Sequence, residues 1–103
     1  MLSRSPDIEV TFTFLGVRRH PSVNGYRPTH QITYQLLTCG THQYYGADHA
    51  PLEGTIDGTI TFISPDAYPH SISVGQVIPI MEGSRLIGHA KVNKIFNSFL
   101  QKI

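Results

Sequence analysis

Apolar and polar residues alternate along Ile8-Glu9-Val10-Thr11-Phe12-Thr13-Phe14, which puts Ile, Val and two Phe on one face and Glu and Thr on the other. A period of two with one wet face predicts a β-strand. Ile32-Thr33-Tyr34-Gln35-Leu36 repeats the pattern. So does Ile56-Asp57-Gly58-Thr59-Ile60-Thr61-Phe62, in which Gly58 marks a bulge or a close backbone approach. Val77-Ile78-Pro79-Ile80-Met81 and Leu86-Ile87-Gly88-His89-Ala90-Lys91-Val92 read as a hairpin that turns around Gly83. Pro79 cannot donate to a ladder and so argues for an edge position or a bulge. Residues 18–25, 38–51 and 64–70 are punctuated by Gly, Pro, Ser, Asn and Asp and read as loops.

The tail changes period. Ile95, Phe96, Phe99, Leu100 and Ile103 follow a helical spacing with Asn97, Ser98, Gln101 and Lys102 between them, which predicts a short amphipathic helix. Its stripe would close one open end of a barrel or dock on another chain. Short strands at this spacing belong to a barrel or a sandwich. The chain, 1–103, is expected to be a single all-β domain, with a barrel over about 8–94 and an amphipathic segment over 95–103.

Composition agrees. Eleven Ile, six Val and nine Thr stand against three Glu, three Lys and four Ala, a balance that favours strands. At 40% hydrophobic and 15% charged residues, neither disorder nor a membrane span is expected. A formal net charge of +1 lacks the basic excess that usually accompanies nucleic-acid binding. The single Cys39 excludes an internal disulfide, and Met1-Leu2-Ser3-Arg4-Ser5-Pro6 is too short and polar for a signal peptide. A cytoplasmic location is the expectation.

Candidate chemistry is sparse. Cys39-x-x-His42 with Asp48-His49 is the one cluster with ligand-like spacing, but structural zinc normally shows a second ordered ligand pair. No metal or cofactor is assigned. The serines lack a Gly-x-Ser-x-Gly context, and the carboxylates are scattered over turns and wet faces, so the chain is not expected to be an enzyme. Binding is the better prospect: Arg18, Arg19 and His20 could converge with Arg27 and Arg85 into a basic patch, with Tyr26, Tyr44 and Tyr45 as stacking surfaces.

Two motifs bear on identity. Asn24-Gly25-Tyr26-Arg27-Pro28 precedes an aromatic-bearing strand, and Glu82-Gly83-Ser84-Arg85-Leu86-Ile87-Gly88-His89-Ala90 falls near the end. In that order they resemble the third, C-terminal domain of translation elongation factor Tu, which has Asn-Gly-Tyr-Arg-Pro and later Arg-Glu-Gly-Gly-Arg-Thr-Val-Gly-Ala-Gly. Phe62-Ile63-Ser64-Pro65 takes the place of that family's aliphatic-Ile-His-Pro, so the resemblance covers roughly Ile8 to Val92. It implies a closed six-stranded antiparallel barrel. There are departures too. The sequence holds no Gly-x-x-x-x-Gly-Lys-Ser/Thr loop, so GTP hydrolysis by that route is not expected. The family's Phe-Arg-Thr is Tyr34-Gln35-Leu36 here, and the arginine before Glu-Gly is Met81, which removes two cationic positions from a domain that meets the T stem of aminoacyl-tRNA in the family. Arg27 is read either as a rim arginine bonded to carbonyls or to a carboxylate such as Asp57 or Glu82, or as a direct partner contact. The expected function is a non-catalytic binding module. It would recognise a protein partner through the rim near Arg18, Arg19, Tyr26, Arg27 and Arg85 or through the C-terminal segment. Structured RNA is the alternative partner, no membrane is expected, and the oligomeric state is left open.

Overall fold

Residues 5–103 are described by a computed structural model of the chain; residues 1–4, part of the segment read as unlike a signal peptide, lie outside the described residues. Strands β1 (Ile8–Leu15), β2 (Thr29–Thr33), β3 (Leu36–Tyr44), β4 (Glu53–Phe62), β5 (Val77–Glu82) and β6 (Arg85–Ile95) close into an antiparallel barrel in the order β1-β4-β3-β2-β5-β6. Closure leaves no free sheet edge in this set. Among the described residues no helix is long and apolar enough to cross a membrane.

The alternation seen in the sequence is the alternation of burial. Ile8, Val10, Phe12 and Phe14 of β1 point inward and meet Ile60 and Phe62 of β4, Ile78 and Ile80 of β5, and Ile87, Ala90 and Val92 of β6. Glycine marks the two closest backbone approaches. A Cβ on Gly58 would lie 2.1 Å from the carbonyl oxygen of Gln43, and one on Gly88 2.3 Å from that of Thr13. Gly58 stands in regular register opposite Tyr44, so the close approach, not a bulge, explains it. Gly83 takes φ +62° at the first central position of the β5–β6 turn, where a primed hairpin turn needs it.

Three sequence expectations are corrected. Ile32-Thr33-Tyr34-Gln35-Leu36 is not one strand: Tyr34-Gln35 is a two-residue turn joining β2 to β3. Residues 38–44, read as the start of a loop, belong to β3, whose inward positions Gly40, His42 and Tyr44 carry too little aliphatic character to show the alternation. Of the two readings of Pro79 the edge is overturned, since it lies in a closed barrel, while the ladder to β6 does shift register just beyond it, between Ile80 and Met81. The β2–β5 ladder consists of Thr29 opposite Met81 and His30 opposite Ile80, and it ends where Pro79 has no N–H to give.

The tail is a fourth. No α-helix forms over 95–103: Ile95 ends β6, and Ser98–Leu100 is a single 3-10 turn capped by Asn97, whose side-chain oxygen accepts from the Phe99 N–H. Backbone bonds fix the segment instead. Phe96 and Asn97 N–H donate to the Asp7 carbonyl, Ile72 N–H to Leu100, and Lys102 N–H to Ile72. Of the stripe Leu100 is fully buried and plugs this end of the barrel, Ile95 packs partly buried against the core, and Phe96, Phe99 and Ile103 stay exposed.

Candidate binding site at the open rim

The end opposite the tail gathers the C-terminus of β1, the β5–β6 hairpin and the loop that carries the Gly-Tyr-Arg-Pro motif. That loop is held by its own backbone. Gly25 N–H donates to the His42 carbonyl, His42 N–H to the Tyr26 carbonyl, and Asn24 N–H to Asp48. The Asn24 side chain receives the Tyr44 N–H at 2.7 Å and donates to the Ala47 carbonyl at 3.1 Å. A φ of +95° at Gly25 lets the chain turn between these rungs.

A concavity of about 470 Å³ opens there, lined by Arg18, Arg19, Tyr26, Glu82 and Arg85 together with the exposed Pro21 and Val23. Tyr26 donates its hydroxyl to Glu82, and Arg85 reaches the same carboxylate at 3.3 Å and the Val17 carbonyl at 3.2 Å. Burial first, and then the Glu82 carboxylate, push the Tyr26 phenol well above its ordinary range, because both disfavour a second negative charge.

Arg18 is buried rather than displayed. Its guanidinium lies 4.0 Å over the Phe14 ring and donates to Ser22 Oγ and to the carbonyls of Pro51 and Leu52, both at 3.2 Å. Its Nε has no acceptor, and among the described residues it has no carboxylate partner. Arg19 is exposed and makes no side-chain hydrogen bond or ion pair among the described residues, while Arg27 is exposed, does not line the concavity and is bonded to neither Asp57 nor Glu82. Of the residues expected to form a site, Arg18, Arg19, Tyr26 and Arg85 therefore meet and Arg27 does not.

The stacking surfaces do not assemble. Tyr44 is inside the barrel, its phenol pushed up to about 12 mainly by burial. Tyr45 lies on the outer wall with its hydroxyl on Glu9 at 3.0 Å. The Cys39-x-x-His42 spacing also fails to converge, because residues three apart on β3 face opposite sides of the sheet. Among the described residues no three His, Cys, Asp or Glu groups come together as a metal site.

The sequence reading missed a polar chain beneath the rim. His30 and His42 meet inside the barrel with Nε2 atoms 2.8 Å apart, His30 Nδ1 lies 3.3 Å from the Thr38 carbonyl, and His42 Nδ1 lies 3.0 Å from the Tyr44 hydroxyl. A carbonyl only accepts, so His30 holds its proton on Nδ1 and accepts at Nε2. His42 then donates from Nε2 and accepts from Tyr44 at Nδ1. Burial lowers the His30 pKa to about 4 and holds His42 well below the usual imidazole range, with His30 and Arg18 adding to the effect on His42. The one hint was the i, i+2 spacing of Gly40, His42 and Tyr44, which without an aliphatic residue does not read as a buried strand face.

No protein-family model matches this chain, and a search of curated proteins also finds no match.

Proposed function

We propose that the chain is a non-catalytic binding module, similar to the third domain of elongation factor Tu, that recognises a protein partner in the cytoplasm through its open rim. The observation that carries the reading is one concavity that brings the exposed Arg19 and Arg85 together with Tyr26 and the Glu82 carboxylate, with Arg18 buried in its lining. Convergent polar groups in a concave wall are the ordinary form of a recognition site. The likeness to the elongation-factor domain rests on the order of the two sequence motifs and agrees with a closed six-stranded antiparallel barrel. An RNA partner is the weaker reading, because Tyr44 is buried and Tyr45 sits elsewhere, so the tyrosines expected to stack on bases do not line up with the rim arginines.

The test is capture from a lysate of the source cell by the full chain and by the Arg19→Ala/Arg85→Ala double variant. A defined protein held by the first, lost by the second and retained after nuclease treatment supports the reading. Equal capture by both, or a bound fraction that is nucleic acid and falls steeply with salt, overturns it.

A further inference from the structure

The rim concavity is chemically lopsided. Arg18, Arg19 and Arg85 line it, and Glu82 is the carboxylate among its lining residues. Arg18 cannot shed its charge, and its solvent-sealed Nε–H meets no acceptor. A guanidinium so placed, with carbonyls and an aromatic face in place of a counter-ion, leaves positive potential in the wall that a nearby anion would offset. The groups that can touch an anion are the outer ones: Arg19 is exposed, with no hydrogen bond from its side chain among the described residues, and Arg85 uses one N–H on Glu82 and one on Val17.

The wall already shows which anion fits it. Glu82 already takes the Tyr26 hydroxyl on one carboxylate oxygen and a single Arg85 N–H on the other, so a carboxylate is the anion these donors hold in the protein itself. Its charge also repels a doubly charged phosphate more strongly than a singly charged group. Beside the charged wall, Pro21 is exposed and Val23 is 60% exposed, an apolar shelf next to the cations. The volume suits one side chain with its flanking backbone.

Resting on the reading of the rim as a binding surface, we infer that this concavity is a carboxylate site: it receives a carboxylate of the partner protein on Arg19 and Arg85, with the adjoining apolar atoms over Pro21 and Val23. Arg18 acts from behind the wall through its field and makes no contact.

The experiment titrates the full chain, labelled with ¹⁵N, with N-acetyl-leucine as a chain-end carboxylate, N-acetyl-aspartate amide as a side-chain carboxylate, N-acetyl-leucinamide as the uncharged control, and inorganic phosphate. Saturable shifts at the amides of Arg19, Val23, Tyr26 and Arg85 are expected with a carboxylate, and none with the amide. The tighter of the two carboxylates identifies the source. Arg19→Ala/Arg85→Ala should weaken binding at least about tenfold, the loss of a charge-assisted pair. Glu82→Gln should strengthen it, since it removes the competing carboxylate, whereas a residue that merely supports the fold would not improve binding when altered. Absent saturation, equal response to N-acetyl-leucinamide, tighter binding of phosphate, or weaker binding by Glu82→Gln would each overturn the proposal. If the carboxylates fail while capture of a protein still depends on Arg19 and Arg85, the anion assignment falls alone. If that capture is also independent of them, the rim reading falls with it.

Discussion

Tyr26 donates its hydroxyl to the carboxylate of Glu82, 56 residues further along the chain, and so ties the Asn-Gly-Tyr-Arg-Pro turn to the β5–β6 hairpin. The half-buried tyrosine ring also stands edge-on to His42, 5.6 Å between centroids, which couples the rim to the barrel interior. Tyr26→Phe keeps the ring and removes the bond. It should cost about 1–2 kcal/mol in urea unfolding, the range for a hydrogen bond to a charged group at partial burial. A Tyr26→Phe/Glu82→Gln cycle checks the assignment: additive losses would mean that the two side chains do not interact.

The His30–His42 pair makes the fold acid-sensitive. In an unfolded chain both rings titrate near 6.5, whereas burial holds His30 to about 4 in the barrel and His42 also well below the ordinary value. Below the ordinary imidazole range the unfolded chain binds more protons, so stability must fall as pH drops from about 7 towards 4, where the His30 contribution is spent. His30 alone should account for about 3 kcal/mol of that fall. The groups around the pair do not rescue a charged ring: Arg18 opposes it, and Phe12, Phe62, Tyr26 and Tyr44 offer no negative charge. Urea midpoints at pH 7 and 4.5 measure the slope, and the apolar pair His30→Leu/His42→Phe should flatten it. An equal slope in that variant would place the acid sensitivity elsewhere.

What the sequence could disclose depended on whether a residue's partner was local. β1 and the β5–β6 hairpin were legible because their inward positions are aliphatic or aromatic and their turn has a glycine. The β2–β3 turn was hidden because Ile32, Tyr34 and Leu36 keep the period of two straight through it, and Tyr34-Gln35 carries no turn residue. β3 was hidden because its interior face holds His42 and Gly40, choices that make sense only once His30 and Ile60 are known to stand opposite. Nine residues of tail fit a helical spacing as well as they fit a strand end followed by a 3-10 turn. At the rim, Tyr26, Glu82 and Arg85 could be named from their motifs. The burial of Arg18 depended on Phe14, Ser22 and two carbonyls beyond residue 50.

Gly58→Ala and Gly88→Ala should each destabilise the barrel by about 1–3 kcal/mol or more, since the new Cβ would press on a neighbouring strand's carbonyl and only backbone movement could relieve it. Thr55→Ala, exposed on the same strand as Gly58, should stay within about 0.5 kcal/mol. Chemical denaturation of the three variants suffices. Near-neutral glycine variants would contradict the strand spacing.

Phe12 is fully buried and packs on His42 with ring centroids 4.3 Å apart, while Thr13 next to it lies on the outer face. Phe12→Ala should cost roughly 3–5 kcal/mol and Thr13→Ala less than about 1. Reversed costs would mean that β1 is shifted by one residue, since a single step exchanges its faces.

The last prediction separates one plug from an amphipathic stripe. Leu100 is 0% exposed at the closed end of the barrel, whereas Phe99 beside it and Phe96 are nearly half exposed. A helix packed by its stripe would make all three costly to truncate. With the 3-10 turn, Leu100→Ala opens a cavity against the core and should cost about 2–5 kcal/mol, while Phe96→Ala and Phe99→Ala should each cost less than about 1. Deletion from Asn97 onward should cost at least as much as Leu100→Ala, because it also removes the bonds from Asn97 to the Asp7 carbonyl and carboxylate and the rungs to Ile72. Thermal and urea melts of the four variants read this order directly. If Phe96→Ala or Phe99→Ala proved as damaging as Leu100→Ala, and sedimentation of the full chain showed mass rising with concentration, the exposed rings would be covered by a second copy and the tail would be an interface as well as a plug.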